Sequence, residues 1–279
     1  MDAKTDLKFG THPDFENPPV VETVLGIEYS PLEKWRVTHF GLFWETIRTD
    51  FPDCEDQLPL LSQIEKFDRP SKPEAPKFEF IKRPDVRCWF KDRSRSVLLQ
   101  IQNGRFVQNW RKETGTESYP HYENTREDFE RDWNRFLGFL KKEELGAPIV
   151  QQCEVLYINH LEVGMGWSSL AELGHVFPPL AGLAGGEHLP VPEAFLVDSR
   201  YLLPDKRGRL YVQVQPAVRD ADGKEILLLN LTARGAPYSS EVADVLAWFD
   251  FGREWVHKAF AEFTAPAMHS VWGRRRADS

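Results

Sequence analysis

The chain has 279 residues, enough for one large domain or two fused halves, and its 41% hydrophobic and 28% charged residues can bury a sizeable core. A net charge of −8 argues against a surface that attracts nucleic acid everywhere, and three cysteines (Cys54, Cys88, Cys153) without C-x-x-C spacing argue against a disulfide framework or a cysteine zinc site. No apolar run approaches a membrane span and the opening MDAKTDLKFG lacks a signal-peptide core, so a cytoplasmic protein without membrane contact is expected.

After a polar lead-in over residues 1–16, NPPVVETVLGIEYSP becomes an alternating strand from Val21 to Tyr29. LEKWRVTHFGLFWETIRTDFP follows as a helix with Trp35, Phe40, Phe43, Trp44 and Ile47 on one side and Pro52 as its stop. Three prolines between Asp68 and Pro76 mark a loop. Strands follow at KFEFIK, VRCWFK, SVLLQIQ and RFVQNWR, the last two joined by Asn103-Gly104 as a two-residue hairpin turn. A second helix runs from Thr125, a suitable N-cap, to Leu145, with acids in its first turn. Gly146-Ala147-Pro148 closes this half, which spans 17–147.

Residues 148–279 run through a similar order. CEVLYINHLEV is a strand in which Cys153 reads as a small buried hydrophobe, and SSLAELGHVF is a short helix capped by Ser168 or Ser169. A Gly/Pro-rich loop at 178–192 leads to strands at EAFLVDSRYLL, RLYVQVQPAV and EILLLNLTARG, and a long helix from Ser240 to Phe263 ends the set. The predicted class is therefore α+β, with two duplicated strand-helix-antiparallel sheet-helix units in one compact body. ETVLGI can be laid over CEVLYI from Cys153, and SVLLQIQ over RLYVQVQ, so that Gln100 and Gln102 meet Gln213 and Gln215. This order resembles the architecture of the TATA-box-binding protein, a curved antiparallel sheet backed by helices; the likeness is one of fold and carries no function.

With helices on one face only, the other face must be polar or occupied by a partner. Alternation puts Val97, Leu99 and Ile101 on the core side and Leu98, Gln100 and Gln102 on the other; it likewise separates Leu210, Val212 and Val214 from Arg209, Tyr211, Gln213 and Gln215. Glu22, Glu28, Glu154 and His160 border the same polar face. Amides both donate and accept, which suits peptide groups, nucleobases or a second copy of the face. Gln100, Gln102, Gln213, Gln215, Asn109 and Arg111 are expected at least partly exposed on one concave surface, with Trp110 packed behind.

The segment from Lys82 to Lys112 holds nine basic residues against Asp85 and Asp92, interleaved with Trp89, Phe90, Phe106 and Trp110. Arg105 and Arg111 there are candidates for holding phosphate, and the pattern suits a single-stranded nucleic acid or a phosphate-bearing ligand. The competing expectation is that these cations pair with the chain's own acidic helix at Glu127, Asp128, Glu130 and Asp132. No P-loop, dinucleotide or nucleophile-elbow motif is present, His-x-x-x-His spacing is absent, and neither metal nor cofactor is expected. Tyr157, Asn159, His160 and Glu162 form the best catalytic-looking cluster, with His160 and Glu162 as acid–base candidates, although neighbours along a strand point to opposite faces.

Asn17 to Glu22 (NPPVVE), the Gln-x-Gln strand leading to Asn109-Trp110-Arg111, Tyr119-Pro120-His121-Tyr122 and Tyr157-Ile158-Asn159-His160 together resemble a family of uncharacterised prokaryotic proteins of similar length. Its members are scattered sporadically among bacteria and archaea and have no assigned function. The resemblance covers nearly the whole chain and implies a prokaryotic protein, compatible with an accessory role in defence or toxin–antitoxin biology, with no catalytic residue to carry over. The leading expectation is a non-enzymatic binding or protein-interaction module, including self-association, that uses the open sheet face. The alternative is an enzyme acting on a nucleotide or nucleic acid through His160 and Glu162.

Overall fold

A computed structural model of the chain describes residues 14–68 and 86–275. In chain order the elements are β1 (Asp14–Phe15), β2 (Val20–Tyr29), α1 (Thr38–Ile47), β3 (Asp53–Gln57), β4 (Arg87–Lys91), β5 (Val97–Gln102), β6 (Arg105–Arg111), α2 (His121–Lys142) and β7 (Val150–Glu162). They continue with α3 (Leu173–Val176), β8 (Val197–Leu202), β9 (Arg209–Val218), β10 (Glu225–Gly235), α4 (Val242–Phe263), α5 (Pro266–Val271) and β11 (Arg274–Arg275). Nine strands form one sheet in the order β3-β4-β5-β6-β2-β7-β10-β9-β8, and β1 pairs with β11 in a separate ribbon. Every pairing is antiparallel, so the class is α+β around a large antiparallel sheet.

The helices lie against one face. On α2 the buried positions Phe129, Trp133, Phe136 and Leu140 recur at helical spacing. Phe106 on β6 meets Phe129, Trp133 and Phe136 with ring centroids 5.6, 5.1 and 5.4 Å away. Phe43 of α1 joins this cluster through Phe90 and Phe136. α4 crosses β7 and β10 closely: a Cβ at Gly252 would stand 3.2 Å from Val155 Cγ2 and 3.0 Å from the Trp248 ring. The two long helices also touch each other, Phe129 against Phe249 at 4.8 Å and Arg126 against Asp250 at 2.9 Å. Asp132 is fully buried under α2; Arg131, Arg135 and Gln108 Nε2 donate to its carboxylate, and burial raises its pKa.

Several boundaries differ from those the sequence suggests. α1 begins at Thr38, with Trp35 buried in the irregular turn before it. α2 begins at His121 rather than Thr125, whose hydroxyl instead donates to the Tyr122 carbonyl at 2.9 Å inside the helix. β3, α5 and the β1–β11 ribbon carry no clear sequence signal: DCEDQ has no apolar alternation, and a two-residue strand is too short to show a period. The KFEFIK strand, most of the proline loop before it, and Lys82 and Arg83 fall outside the described residues. The Asn103-Gly104 hairpin forms as expected, with Gly104 at φ 102° and Gln102 paired to Arg105.

Phe136, with no exposed surface, touches the rings of Tyr29, Trp35, Phe43, Phe106 and Trp133. Phe136→Ala should cost about 3–5 kcal/mol in chemical denaturation, whereas Leu42→Ala, on the half-exposed side of α1, should change stability by about 0.5 kcal/mol or less. Equal losses at the two positions would contradict this packing.

Candidate binding face

The sheet face away from the helices carries the amides. Strand register puts Gln100 and Gln102 of β5, Asn109 and Arg111 of β6, and Gln213 and Gln215 of β9 on that face, with Trp110 buried on the other. Gln213, Gln215 and Arg111 are half-buried, but Gln100, Gln102 and Asn109 are buried rather than exposed. The reason is a network. Gln100 Oε1 accepts from Arg87 Nη1 at 2.7 Å and Trp89 Nε1 at 2.9 Å, and its Nε2 donates to Asn109 Oδ1 at 2.7 Å. Asn109 Nδ2 in turn donates to Glu22, whose pKa burial raises against the opposing pull of Asn109 and Arg111.

Gln102 is buried for a different reason: residues 58–67 lie across this face as an extended strap. The Leu60 N–H donates to Gln102 Oε1 at 2.8 Å, and Gln102 Nε2 donates to the Leu60 carbonyl at 3.0 Å, so one amide brackets both backbone groups of one residue. Gln152 on β7 repeats the device, accepting from the Glu65 N–H at 2.8 Å and donating to the Gln63 carbonyl at 2.9 Å. Between them the Ser62 hydroxyl donates to Glu28 of β2, which also takes Arg105. Beyond them Glu65 receives Arg209 and the Tyr211 hydroxyl of β9, and Arg209 Nη2 reaches the Lys66 carbonyl at 3.3 Å. At the other end Arg87 Nε donates to the Leu58 carbonyl at 3.2 Å. The strap therefore crosses from β4 to β9 along one rim, with its polar groups turned to the sheet. Its apolar side chains face solvent, Leu58 at 84% and Leu61 at 59% exposure.

Sequence reasoning misses this strap. LPLLSQIEKF has no strand alternation, and its leucines suggest burial. The signal that could have found it is the pair Gln102 and Gln152 in strands that otherwise favour apolar residues.

Four cations of the basic segment find carboxylates, none of them on α2. Lys91 pairs with Glu55, Arg95 with Asp53, Glu55 and Glu113, Arg105 with Glu28, and Arg111 with Glu113. Three of the four α2 acids expected to answer them are instead taken by arginines of the same helix, Asp128 and Asp132 by Arg131 and Glu130 by Arg126, because α2 lies on the opposite side of the sheet. The half-buried Trp89 ring has Arg87, Lys91 and Arg111 at 5.3, 5.5 and 6.0 Å from its centroid.

The cluster Tyr157, Asn159, His160 and Glu162 is split between the faces. Tyr157 and Asn159 lie among the helices, where the Tyr157 hydroxyl meets that of Tyr119 at 2.9 Å and Asn159 Nδ2 donates to the Leu229 carbonyl at 3.1 Å. His160 and Glu162 lie on the polar face. Arg219 and Lys224 hold the Glu162 carboxylate at 2.6 and 3.1 Å and lower its pKa, Arg219 being the larger cause. Burial, with Arg219 and Lys112 adding and Glu162 opposing, lowers the His160 pKa and keeps the ring neutral near pH 7. Among the described residues no group of three or more His, Cys, Asp or Glu side chains could hold a metal ion, and no helix is long and apolar enough to cross a membrane. No family model, curated protein or solved structure matches the chain.

Two expectations follow from these contacts. Gln152→Ala removes both of its bonds to the strap, a loss of about 1–3 kcal/mol in strap docking. It should speed hydrogen exchange at the Glu65 amide while leaving α2 unchanged, and an unaltered Glu65 rate would show that the bracket does not hold the strap. For His160, a folded pKa below the unfolded value means that the unfolded chain takes up the proton first as pH falls. The stability of the wild type relative to His160→Gln should thus be constant above pH ~6.5, the ordinary histidine value, and decline below it. A difference that grows in favour of the wild type on acidification would contradict this burial.

Proposed function

We propose that this protein is a non-enzymatic binding module that holds extended polypeptide on the polar face of its sheet. The observation that carries this reading is the strap itself. Gln102 and Gln152 meet the chain's backbone, not its side chains, and an amide that brackets N–H and C=O does so whatever the sequence. Against an enzyme stands the Glu162 carboxylate, fully engaged by Arg219 and Lys224 and so a poor proton acceptor for His160. Against a phosphate ligand stands the carboxylate partner of each of Lys91, Arg95, Arg105 and Arg111.

The same reading includes an internal duplication, and the ladders support it. β2 and β7 pair at the centre of the sheet, and β6, β5 and β4 on one side answer to β10, β9 and β8 on the other. If a two-fold axis passes through the pair Val24 and Leu156, the registers carry Gln100 onto Gln213, Gln102 onto Gln215, Glu22 onto Glu154 and Arg111 onto Arg234. The overlay of Glu22 on Cys153 suggested by sequence is one residue off, because those two side chains lie on opposite faces.

Selection of linear peptides from a random library on the intact protein tests the binding reading. The bound peptides should protect amides of β5, β7, β9 and β10 from hydrogen exchange. Peptides that map to the helix side, or a protein that retains only nucleic acid or phosphate compounds, would overturn it.

A further inference from the structure

The strap occupies one rim of the polar face, at the Gln102 end of β5 and the Arg209 end of β9. The two-fold correspondence of the ladders places an equivalent rim at the other end of the second half. There Gln215 takes the place of Gln102, and His160 takes that of Glu28, the residue that receives the strap's serine. The two rims differ in what lies over them. Gln102 and Glu28 are buried beneath the strap, whereas Gln213, Gln215, Asn230 and His160 are only half-buried. Among the described residues the side chains of Gln213 and Gln215 make no hydrogen bond. His160 Nδ1 and Asn230 Oδ1 are shielded from solvent and have no hydrogen-bond partner among the described residues.

Among the described residues no segment takes the strap's place over this rim. In the first half the strap lies between β3 and β4. The corresponding segment of the second half, before β8, instead forms a 3-10 turn at Pro178–Leu183 and folds back on α3, where a Cβ at Gly174 would stand 2.8 Å from that of Ala181.

We propose that the rim formed by Gln215, Gln213, Asn230 and His160 is a second site for extended polypeptide, and that its occupant is a segment of another protein. The proposal rests on the peptide-binding reading above. The segment is held by its backbone, bracketed by the Gln215 amide as Leu60 is bracketed by Gln102. A serine or threonine hydroxyl stands over His160 as Ser62 stands over Glu28. Leu228, opposite both His160 and Gln215 in the ladders, forms the apolar floor between them.

The strap's own sequence is the natural probe. A fluorescein-labelled synthetic peptide of residues 57–67, QLPLLSQIEKF, should bind the wild-type protein saturably in fluorescence anisotropy. It should also slow hydrogen exchange in β9 and β10 around Gln213 to Gln215 and Leu228 to Asn230. Gln215→Ala with His160→Ala should weaken it by about tenfold or more, as expected for two lost hydrogen bonds, whereas replacing the peptide's serine by alanine should remove the dependence on His160. Absence of saturable binding, or binding indifferent to Gln215 and His160, overturns the second site. Protection near Gln102 and Gln152 instead means that the peptide has displaced the strap, which keeps the polypeptide-binding reading and removes this site. Exchange mapping on the wild type decides the matter even if the double variant loses its fold.

Discussion

A sheet layered by helices on one side only has a face whose backbone groups are already committed to its own ladders. Whatever lies across that face cannot pair with strand N–H and C=O groups as an added edge strand would. It must be held by side chains. Among these only the amides offer a donor and an acceptor at the spacing of one peptide unit, and Gln102 and Gln152 use both. Asn103 does the same in the hairpin turn, accepting from the Leu32 N–H at 2.8 Å and donating to the Leu32 carbonyl at 3.3 Å. The placement of glutamine and asparagine thus follows from the one-sided architecture.

The inverted strap follows from the same constraint. A segment laid on an apolar face would turn its leucines inward, but Leu60, Leu61 and Ile64 lie over strands whose outward side chains are charged or amide, so they point away. Its hold is polar and directional: two amide brackets, one serine, and the carboxylate of Glu65 between Arg209 and Tyr211. Stability of the fold as a whole rests elsewhere, on the aromatic cluster between α1, α2 and the sheet.

Period-2 alternation made the polar and apolar faces of β5 and β9 legible in the sequence, the helical spacing of aromatics located α1, and first-turn acids marked α2. What stayed illegible was anything that depends on distant residues. Burial of Gln100 needs Arg87, Trp89 and Asn109 brought together by three strands. The identity of the acids that answer the basic segment depends on which side of the sheet α2 occupies, and local sequence does not encode that. β3 is a strand because Phe90 and Cys88 pair with it, not because DCEDQ favours the conformation.

Charge then bears on the ligand that the proposed reading assigns to this face. A phosphate chain requires cations whose own partners are weak, since each existing carboxylate pair must be broken for one new contact. Lys91 is shielded from solvent in its pair with Glu55, and Arg105 pairs with the buried Glu28, so a nucleic acid that drew Arg105 away would leave a buried carboxylate behind. A polypeptide backbone is neutral and asks for no such exchange. It needs donors and acceptors not yet matched, and the amides of Gln213 and Gln215 make no hydrogen bond among the described residues. The face thus carries both chemistries: ion pairs on both halves, among them Arg105 with Glu28 and Arg219 with Glu162, and on the second half the amides of Gln213 and Gln215, which make no hydrogen bond among the described residues.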